Sequence, residues 1–540
     1  MLTPDTSTAS NLWSRFQGIL QPELGYVLVT LLAFSAFNAQ FLSLKELGVV
    51  WLCGATPFAV ALCLIAPGPR STSVITSVRI VACTVAVVMA LYSAVATITY
   101  PAKVNADFDL ALLLVFLSVP VSLVSAVVSF WRPAFVFVPS VLVLQQKAIA
   151  STMFGFEISF TDYIPVLEMG VFLGLALMLL GPGLVQRLGP LSRMLRNCDL
   201  EYAMVLAFMA AVSAHFSNYF YSGLQKVILE GGPFLWVLDN PTHILGANAY
   251  LSGFLPTGTN AELSAFALYS LEIFRPVLNA TILVGQLGAL VFVARRSMLI
   301  AATLFYDITH VAIFFASGIM FWKWVALNTA LVAAMRHLPK MAERRTAVIM
   351  SCTIVLLAPE AFNIVRLGWY DTPALTRTEV IAVTKDGNEY EVPSNFFGSY
   401  SVTAAQHRLG RTATEHFPTV TLGTTQQEDI FHQAHSDCTF PETPSTPFQR
   451  DKAWITNLVQ TTHTYAAQQA SDDGLYRYDL FPHHIWSNPW MFKDFAKVDP
   501  NTIDFYIYRT ISSCIALDRG MPLEDVRFVS EFKVPAVTLD

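Results

Sequence analysis

Five polar residues, three of them able to carry acid–base chemistry, recur at helical spacing in HFSNYFYSGLQK, residues 215–226, directly after the apolar run AMVLAFMAAVSA. Because each helical residue turns the chain by about 100°, the five share a sector about 100° wide on one face. Polar groups cost free energy inside a membrane and usually face a bundle interior or a cavity. We therefore expect a cavity lined by His215, Asn218, Tyr219, Ser222 and Lys226.

The chemistry open to this face is proton transfer. A lysine that is removed from water can act as a general base, and histidine and tyrosine can orient a substrate or exchange protons with it. A simpler interpretation exists for Lys226 alone, since a lysine near a helix end can extend its ammonium group to the membrane surface. Tyr219 could likewise belong to the belt of aromatic residues at a membrane surface. Neither interpretation accounts for the whole face.

Two further pairs of ionisable residues lie within apolar segments. Glu272 and Arg275, in ALYSLEIFRPVLNA, are three residues apart, so we expect them to pair and to shape the cavity. Asp307 and His310, in FYDITHVAIFF, have the same spacing. A carboxylate beside a histidine fixes its tautomer. We therefore expect Asp307 to line the cavity and His310 to be a catalytic partner of Lys226.

The composition places this polar face in a membrane protein. The 540 residues are 54% hydrophobic and only 13% charged, whereas soluble chains carry about 25% charged residues. The net charge of -6 is small, which excludes a basic nucleic-acid surface. Membrane lipids are thus the expected surroundings, and no nucleic acid is expected as a partner.

The apolar segments predict a polytopic α-helical protein with about eleven spans of about 20 residues each. Residues 1–23 form an N-terminal cytoplasmic or interfacial segment, 24–366 the helical bundle and 367–540 a soluble domain. An odd number of spans puts the basic loops on one side of an inner or plasma membrane, with the N-terminus in the cytoplasm and the C-terminal domain outside. These loops contain Arg70, Arg79, Arg187, Arg193, Arg196, Arg295, Arg296, Arg336, Lys340, Arg344 and Arg345.

The C-terminal domain is expected to be α+β or β-rich. A hairpin turn is predicted at KDGN, strands at FYIYRTISSCIALDRG and VRFVSEFKVPAVTL, and helices near YSVTAAQHRLGR and DKAWITNLVQTTHTYAAQQA. Cys438 and Cys514 would face an oxidising compartment, where they form a disulfide or remain two free thiols. His432, His435, His483 and His484 are weak candidates for a metal site, against ordinary surface histidines.

A known family resembles part of this pattern. YFYSGLQKVILEGGPFLW, LEIFRPVL and FYDITHVAIFFASGIMFWKW resemble the HTTM family, membrane domains related to vitamin K-dependent gamma-carboxylase, over about residues 200–337. The shared pattern falls on Tyr219, Phe220, Gly223, Lys226 and Trp236. The resemblance implies a carboxylase-like or other lyase or oxidoreductase activity, with Lys226 as the base that deprotonates a reduced quinone. Gln225 departs from the Lys-Lys pair of the carboxylase, so glutamate carboxylation itself is not implied.

Three functions remain open from the sequence. The first is a membrane enzyme that acts on a lipid-soluble, quinone-like substrate at the outer side. The second is a non-catalytic scaffold that binds a protein complex through its outer domain, for which FPHHIWSNPWMFKDF would offer an aromatic surface. The third is a transporter or channel subunit, since buried charges also suit ion pathways. The transporter lacks support from an inverted repeat or a matched pair of broken helices.

Overall fold

The computed structural model describes residues 21–43, 49–65, 74–99, 110–153, 164–179, 198–229, 232, 234–366, 368–410, 452–478 and 483–536. The first thirteen helices of this part are α1 Pro22–Ser43, α2 Val49–Ile65, α3 Ile75–Thr99, α4 Leu110–Ser129, α5 Phe137–Met153, α6 Ile164–Leu179, α7 Leu200–Val227, α8 Leu235–Asp239, α9 Thr242–Leu251, α10 Ala261–Phe292, α11 Arg296–Ser317, α12 Trp322–Met335 and α13 Arg345–Leu357. The soluble domain follows with β1 Ala374–Thr384, β2 Glu389–Glu391, α14 Ser401–Ala405, α15 Lys452–Gln468, β3 Ile503–Asp518 and β4 Met521–Pro535.

Four of the described helices are long and apolar enough to cross a membrane, so the expectation of eleven spans is wrong for this part of the chain. The four lie at Ile75–Ala94, Leu200–Val227, Ala261–Phe292 and Arg296–Ser317. Several other apolar segments form helices too short for a span of about 20 residues. For example, α12 has 14 residues and α13 has 13. Hydropathy alone counts such short helices as spans, because a helix that packs on a protein core can be as apolar as one in lipid.

The bundle is built around α7, which packs against α1, α6, α10 and α13. Asp199 caps its N-terminus by accepting hydrogen bonds from the backbone N–H groups of Glu201 and Tyr202. From Tyr202 to Ala214, helix α7 is apolar nearly all round and is buried on every side. Its polar face, in the later turns, is therefore enclosed by other helices and by the chain that leads into the soluble domain.

The soluble domain contains a four-stranded antiparallel sheet in the order β2-β1-β3-β4, so a β-rich α+β domain is confirmed in outline. The predicted turn at KDGN joins β1 to β2, and Gly387 adopts a φ of 84° there, which favours glycine. In the register, Thr378 lies opposite Thr510, and Thr510 opposite Ser530. Helix α15 covers one face, where Val459 and Tyr506 join a common core.

The soluble domain docks on one end of the bundle, which we call the domain end. The backbone N–H of Met320 donates to the carbonyl of His484 (2.6 Å), and Asn488 donates through its side chain to the carbonyl of Leu255 (2.8 Å). The Trp486 indole N–H donates to the carbonyl of Phe254 (2.8 Å). The aromatic segment singled out as a partner surface therefore packs mainly against the bundle.

Replacing Trp486 with alanine should loosen this docking. Trp486 is buried and packs on the Phe314 ring, with centroids 5.3 Å apart. Truncation of a buried tryptophan costs about 3–5 kcal/mol. We expect faster hydrogen exchange at residues 253–258 and 317–321, measured by mass spectrometry. Trp490→Ala is the control, because Trp490 is 61% exposed. Equal exchange in both variants would contradict the docking role.

Candidate functional site

The polar face of α7 is buried as a unit. All five of its predicted residues are nearly inaccessible, and Lys226 is fully buried. Asn218, Tyr219 and Ser222 line a cavity of about 40 Å³, together with His310 from α11 and Trp324 from α12. His215 lies behind this wall, with its ring 5.4 Å from those of Tyr219 and Trp324. Lys226 borders it through Gln286, which also lines the cavity.

Lys226 is enclosed at the domain end rather than extended toward the membrane surface. Its ammonium group donates to the carbonyl of Ser222 (3.1 Å) and to the side-chain oxygen of Gln286 on α10 (2.9 Å). The indole rings of Trp236 and Trp369 cover it, with centroids 4.8 and 5.0 Å from Nζ. Each aromatic face attracts a cation electrostatically and also excludes water. A lysine that only reached for the surface would not be enclosed in this way.

Asp371 supplies a carboxylate to the same cluster. It lies between α13 and β1, fully enclosed, and interacts electrostatically with Lys226. Its backbone N–H donates to the Asn240 side-chain oxygen (2.7 Å), and the Asn240 amide donates to Oδ2 (3.3 Å). Burial raises the pKa of Asp371 to about 7, while Asn240 and Lys226 lower it by a smaller amount. Its other oxygen, Oδ1, has no hydrogen-bond partner among the described residues.

Asn328 of α12 connects three of the predicted site residues. Its oxygen lies 2.9 Å from His215 Nε2, and its amide donates to the Tyr219 hydroxyl (3.0 Å) and to Asp307 Oδ1 (2.9 Å). The expected Asp307–His310 pair is therefore replaced by an Asp307–Asn328 bond. His310 instead packs among aromatic rings, 5.3 Å from that of Phe321. Asp307 thus bonds to Asn328 on another helix and not to His310, which is three positions along its own helix.

Replacing Asn328 with leucine should destabilise the protein by about 2–4 kcal/mol, because it leaves several buried polar groups without partners. We expect a lower apparent Tm in detergent, measured from intrinsic fluorescence. Ser213→Ala is the control, since Ser213 is also buried and bonds to the Met209 carbonyl of its own helix (2.7 Å). A Tm for Asn328→Leu as high as that of the control would show that the Asn328 bonds contribute nothing measurable.

The cavity is narrow and mainly aromatic. Tyr219 stacks on Tyr306 with centroids 3.7 Å apart, and Tyr306 donates to the Gly285 carbonyl (2.9 Å). The Nδ1 atom of His310 has no hydrogen-bond partner among the described residues. A volume of about 40 Å³ holds a few water molecules at most. A substrate ring must therefore displace a side chain to enter.

Other predicted residues lie away from this cavity. Glu272 is exposed on α10 and Arg275 is half-buried; neither lines the cavity, and no ion pair joins them in the described structure. The expectation that they shape the cavity is wrong, because the residues of α10 that reach it, Ile282 and Gln286, lie two to three turns farther along the helix.

Only some of the residues predicted to bind a metal or to form a disulfide lie in the described part of the chain. His432, His435 and Cys438 lie outside it. Within it, no three His, Cys, Asp or Glu side chains are grouped to hold a metal ion, and the buried His484 stacks on Phe321. Cys514 is disulfide-bonded, but a Cys438–Cys514 bond stays a prediction.

Among the residues of the site that the sequence reasoning missed are Gln286, Asn328, Trp369 and Asp371. Gln286 lies in the apolar run ILVGQLGALVF and Asn328 in WVALNTALVAAM, and a polar residue within such a run was the available signal. Trp369 and Asp371 lie in RLGWYDTPALTRTE, which marks the domain boundary and therefore resembles a linker. Only the fold brings this boundary segment against the end of α7.

Comparisons with known proteins identified no relative of this chain. No family model, no curated protein and no solved structure matches the chain. The resemblance to the HTTM family therefore has no support from these comparisons, and a proposal about function depends on the geometry of the site.

Proposed function

We propose that this chain is an integral membrane enzyme that removes a proton from a lipid-soluble, quinone-like substrate, with Lys226 as the base. In the proposed orientation the domain end faces the outer side of the membrane and the N-terminus lies in the cytoplasm. The HTTM-like assignment is part of the same proposal. The observation that carries it is the enclosure of Lys226 and Asp371 beside a cavity lined by aromatic rings and His310.

The burial of Lys226 and Asp371 favours a role in proton transfer over a purely structural role. Breaking a buried ion pair leaves an uncompensated charge, and replacing the pair with apolar residues often stabilises a protein. Stability alone therefore gives little reason to bury a lysine and an aspartate that interact electrostatically. Asp371, whose pKa is raised to about 7 by burial, can hold a proton near neutral pH. When it does, Lys226 no longer faces a carboxylate anion.

The proposed step needs only proton movement. The hydroxyl of a phenol or quinol head group gives its proton to the neutral amine of Lys226, forming an oxyanion beside an ammonium. Tyr219 and His310, which line the cavity, orient the ring of the substrate. The proton then passes to the Asp371 carboxylate, which lies at the domain end. The Trp236 and Trp369 rings exclude water from this exchange.

A redox-inactive probe tests this proposal without knowledge of the natural substrate. 2-Naphthol carrying a farnesyl chain has a hydroxyl on an aromatic ring, and its anion absorbs at longer wavelength than the neutral form. The purified protein in lipid nanodiscs should generate the anion at pH 7.5 in proportion to protein concentration, whereas empty nanodiscs should not. Anion formation no greater than that in empty nanodiscs would overturn the proposal.

A further inference from the structure

A second, larger space lies directly beside the polar cavity. Helices α10 and α11 form a hairpin, and a groove of about 560 Å³ runs between them. The residues that line it include several small ones, namely Ala280, Gly285, Ala301 and Ala302. Sites for small organic ligands commonly have volumes of about 300–1,000 Å³. The groove thus has room for a ligand that the 40 Å³ polar cavity lacks.

Phe305 is the one residue that lines both spaces. Its ring lies against Gly285, so closely that a methyl group at position 285 would collide with it. The next residue, Tyr306, faces the polar cavity and stacks on Tyr219. One phenyl ring therefore forms the partition between the groove and the site. Phe305 is thus the side chain whose movement would bear most directly on passage between the two spaces.

The lining of the groove defines the chemistry of its occupant. The walls are almost entirely apolar, and Thr281 is the only residue among them with a polar side chain. Val284, in the same wall, is 68% exposed, so the groove opens on the lipid-facing surface of α10 and α11. A hydrocarbon chain suits such a wall, because it gains from apolar contact and needs no hydrogen bond. A polar head group would find its partners only beyond Phe305.

From this arrangement we infer that the groove between α10 and α11 binds the hydrocarbon tail of the substrate, while Phe305 gates the entry of its head group from the membrane. The inference rests on the proposed function and adds where the parts of the substrate bind: its apolar chain in the groove and its hydroxyl-bearing ring in the polar cavity. The substrate enters sideways from lipid, and the ring passes Phe305 to reach Tyr219 and Lys226.

Binding of tailed and tail-free probes tests the groove. In Ala301→Trp the new indole fills it, so farnesyl-2-naphthol should bind at least about tenfold more weakly, the loss expected when about two methylene groups are excluded. Tail-free 2-naphthol should bind within about twofold of wild type by the same estimate. Naphthol fluorescence quenching measures both without requiring deprotonation. Thr281→Trp, from the opposite wall, repeats the test should Ala301→Trp misfold.

The matched control is Ile308→Trp. Ile308 also lies on α11 and is 70% exposed, but it does not line the groove. It should leave both probes unchanged. If the two groove variants bind the tailed probe as Ile308→Trp does, the groove is an ordinary lipid-contact surface and the inference is overturned. That result leaves the proposed function intact, whereas unchanged anion formation in Lys226→Met would remove the proposed function first.

Phe305→Ala tests the gate separately. Removing the ring joins the groove to the polar cavity, so the anion of the tailed probe should appear several-fold faster after mixing, as followed by stopped-flow absorbance. The tail-free probe provides the comparison within the same variant. An unchanged rate for the tailed probe would show that Phe305 does not limit entry.

Discussion

Lys226→Met should lower the rate at which the bound naphthol probe loses its proton by about 100-fold or more, since a positioned general base contributes about 10²–10⁴-fold. Methionine keeps most of the length of the side chain and removes its charge. The protein should still fold, because Asp371 loses the cation that lowers its pKa and becomes a neutral acid in its enclosed position. Stopped-flow absorbance measures the rate, and size-exclusion elution with the apparent Tm measures folding.

Two other substitutions separate a base from a buried charge. Lys226→Arg keeps the charge but should be as inactive as Lys226→Met, because a guanidinium cannot readily give up its proton. Lys323→Met is the matched control: Lys323 is also buried and lies over aromatic rings, 4.8 Å from that of Tyr92, but it does not line the cavity. Full activity in Lys226→Arg would end the assignment of Lys226 as the base.

The burial of the polar face of α7 could be predicted from the sequence because it depends on one helix alone. Residues three and four apart share a face whatever the helix packs against. A polar face is unfavourable in contact with lipid, so it is turned toward the interior of the bundle. His215, Asn218 and Tyr219 therefore had to be enclosed together. The enclosure of Lys226, which is in the last turn of α7, depends in addition on Trp236 and Trp369 from outside that helix.

The partners of that face could not be predicted, because they come from distant parts of the chain. Asn328 is 113 residues from His215, and its bond to Asp307 replaces the local Asp307–His310 pair. Asp371 belongs to a boundary segment whose composition is that of a linker. The predicted number of membrane spans was wrong for a related reason. Hydropathy indicates that a helix is buried, but a helix of 14 residues can be buried without crossing a membrane.

Asp371 makes the stability of the folded protein depend on pH, and the burial of its carboxyl group sets the sign of this dependence. Its pKa is raised from 3.8 to about 7, and Lys226 is the charged group that opposes this shift. In the unfolded chain the carboxyl group titrates near its ordinary value. Between the two values the folded protein holds a proton that the unfolded chain has lost. This contribution to stability is complete below about pH 4 and is lost as the pH rises through 7.

Asp371→Asn should therefore flatten the stability profile of the protein between pH 5 and pH 8. A shift of about three pKa units corresponds to at most about 4 kcal/mol, so the apparent Tm of the wild type should fall with rising pH by several degrees more than that of the variant. Asp472→Asn, which removes an exposed carboxylate, should leave the wild-type slope unchanged and so accounts for the other titrating groups. Asparagine retains the shape of the side chain, and its oxygen can still accept from the side-chain amide of Asn240, which limits the loss of packing. Parallel profiles for the wild type and Asp371→Asn would mean that Asp371 keeps its charge throughout this range. It could then not receive a proton from Lys226, and the proposed route of the proton toward the domain end would be wrong even if Lys226 is the base.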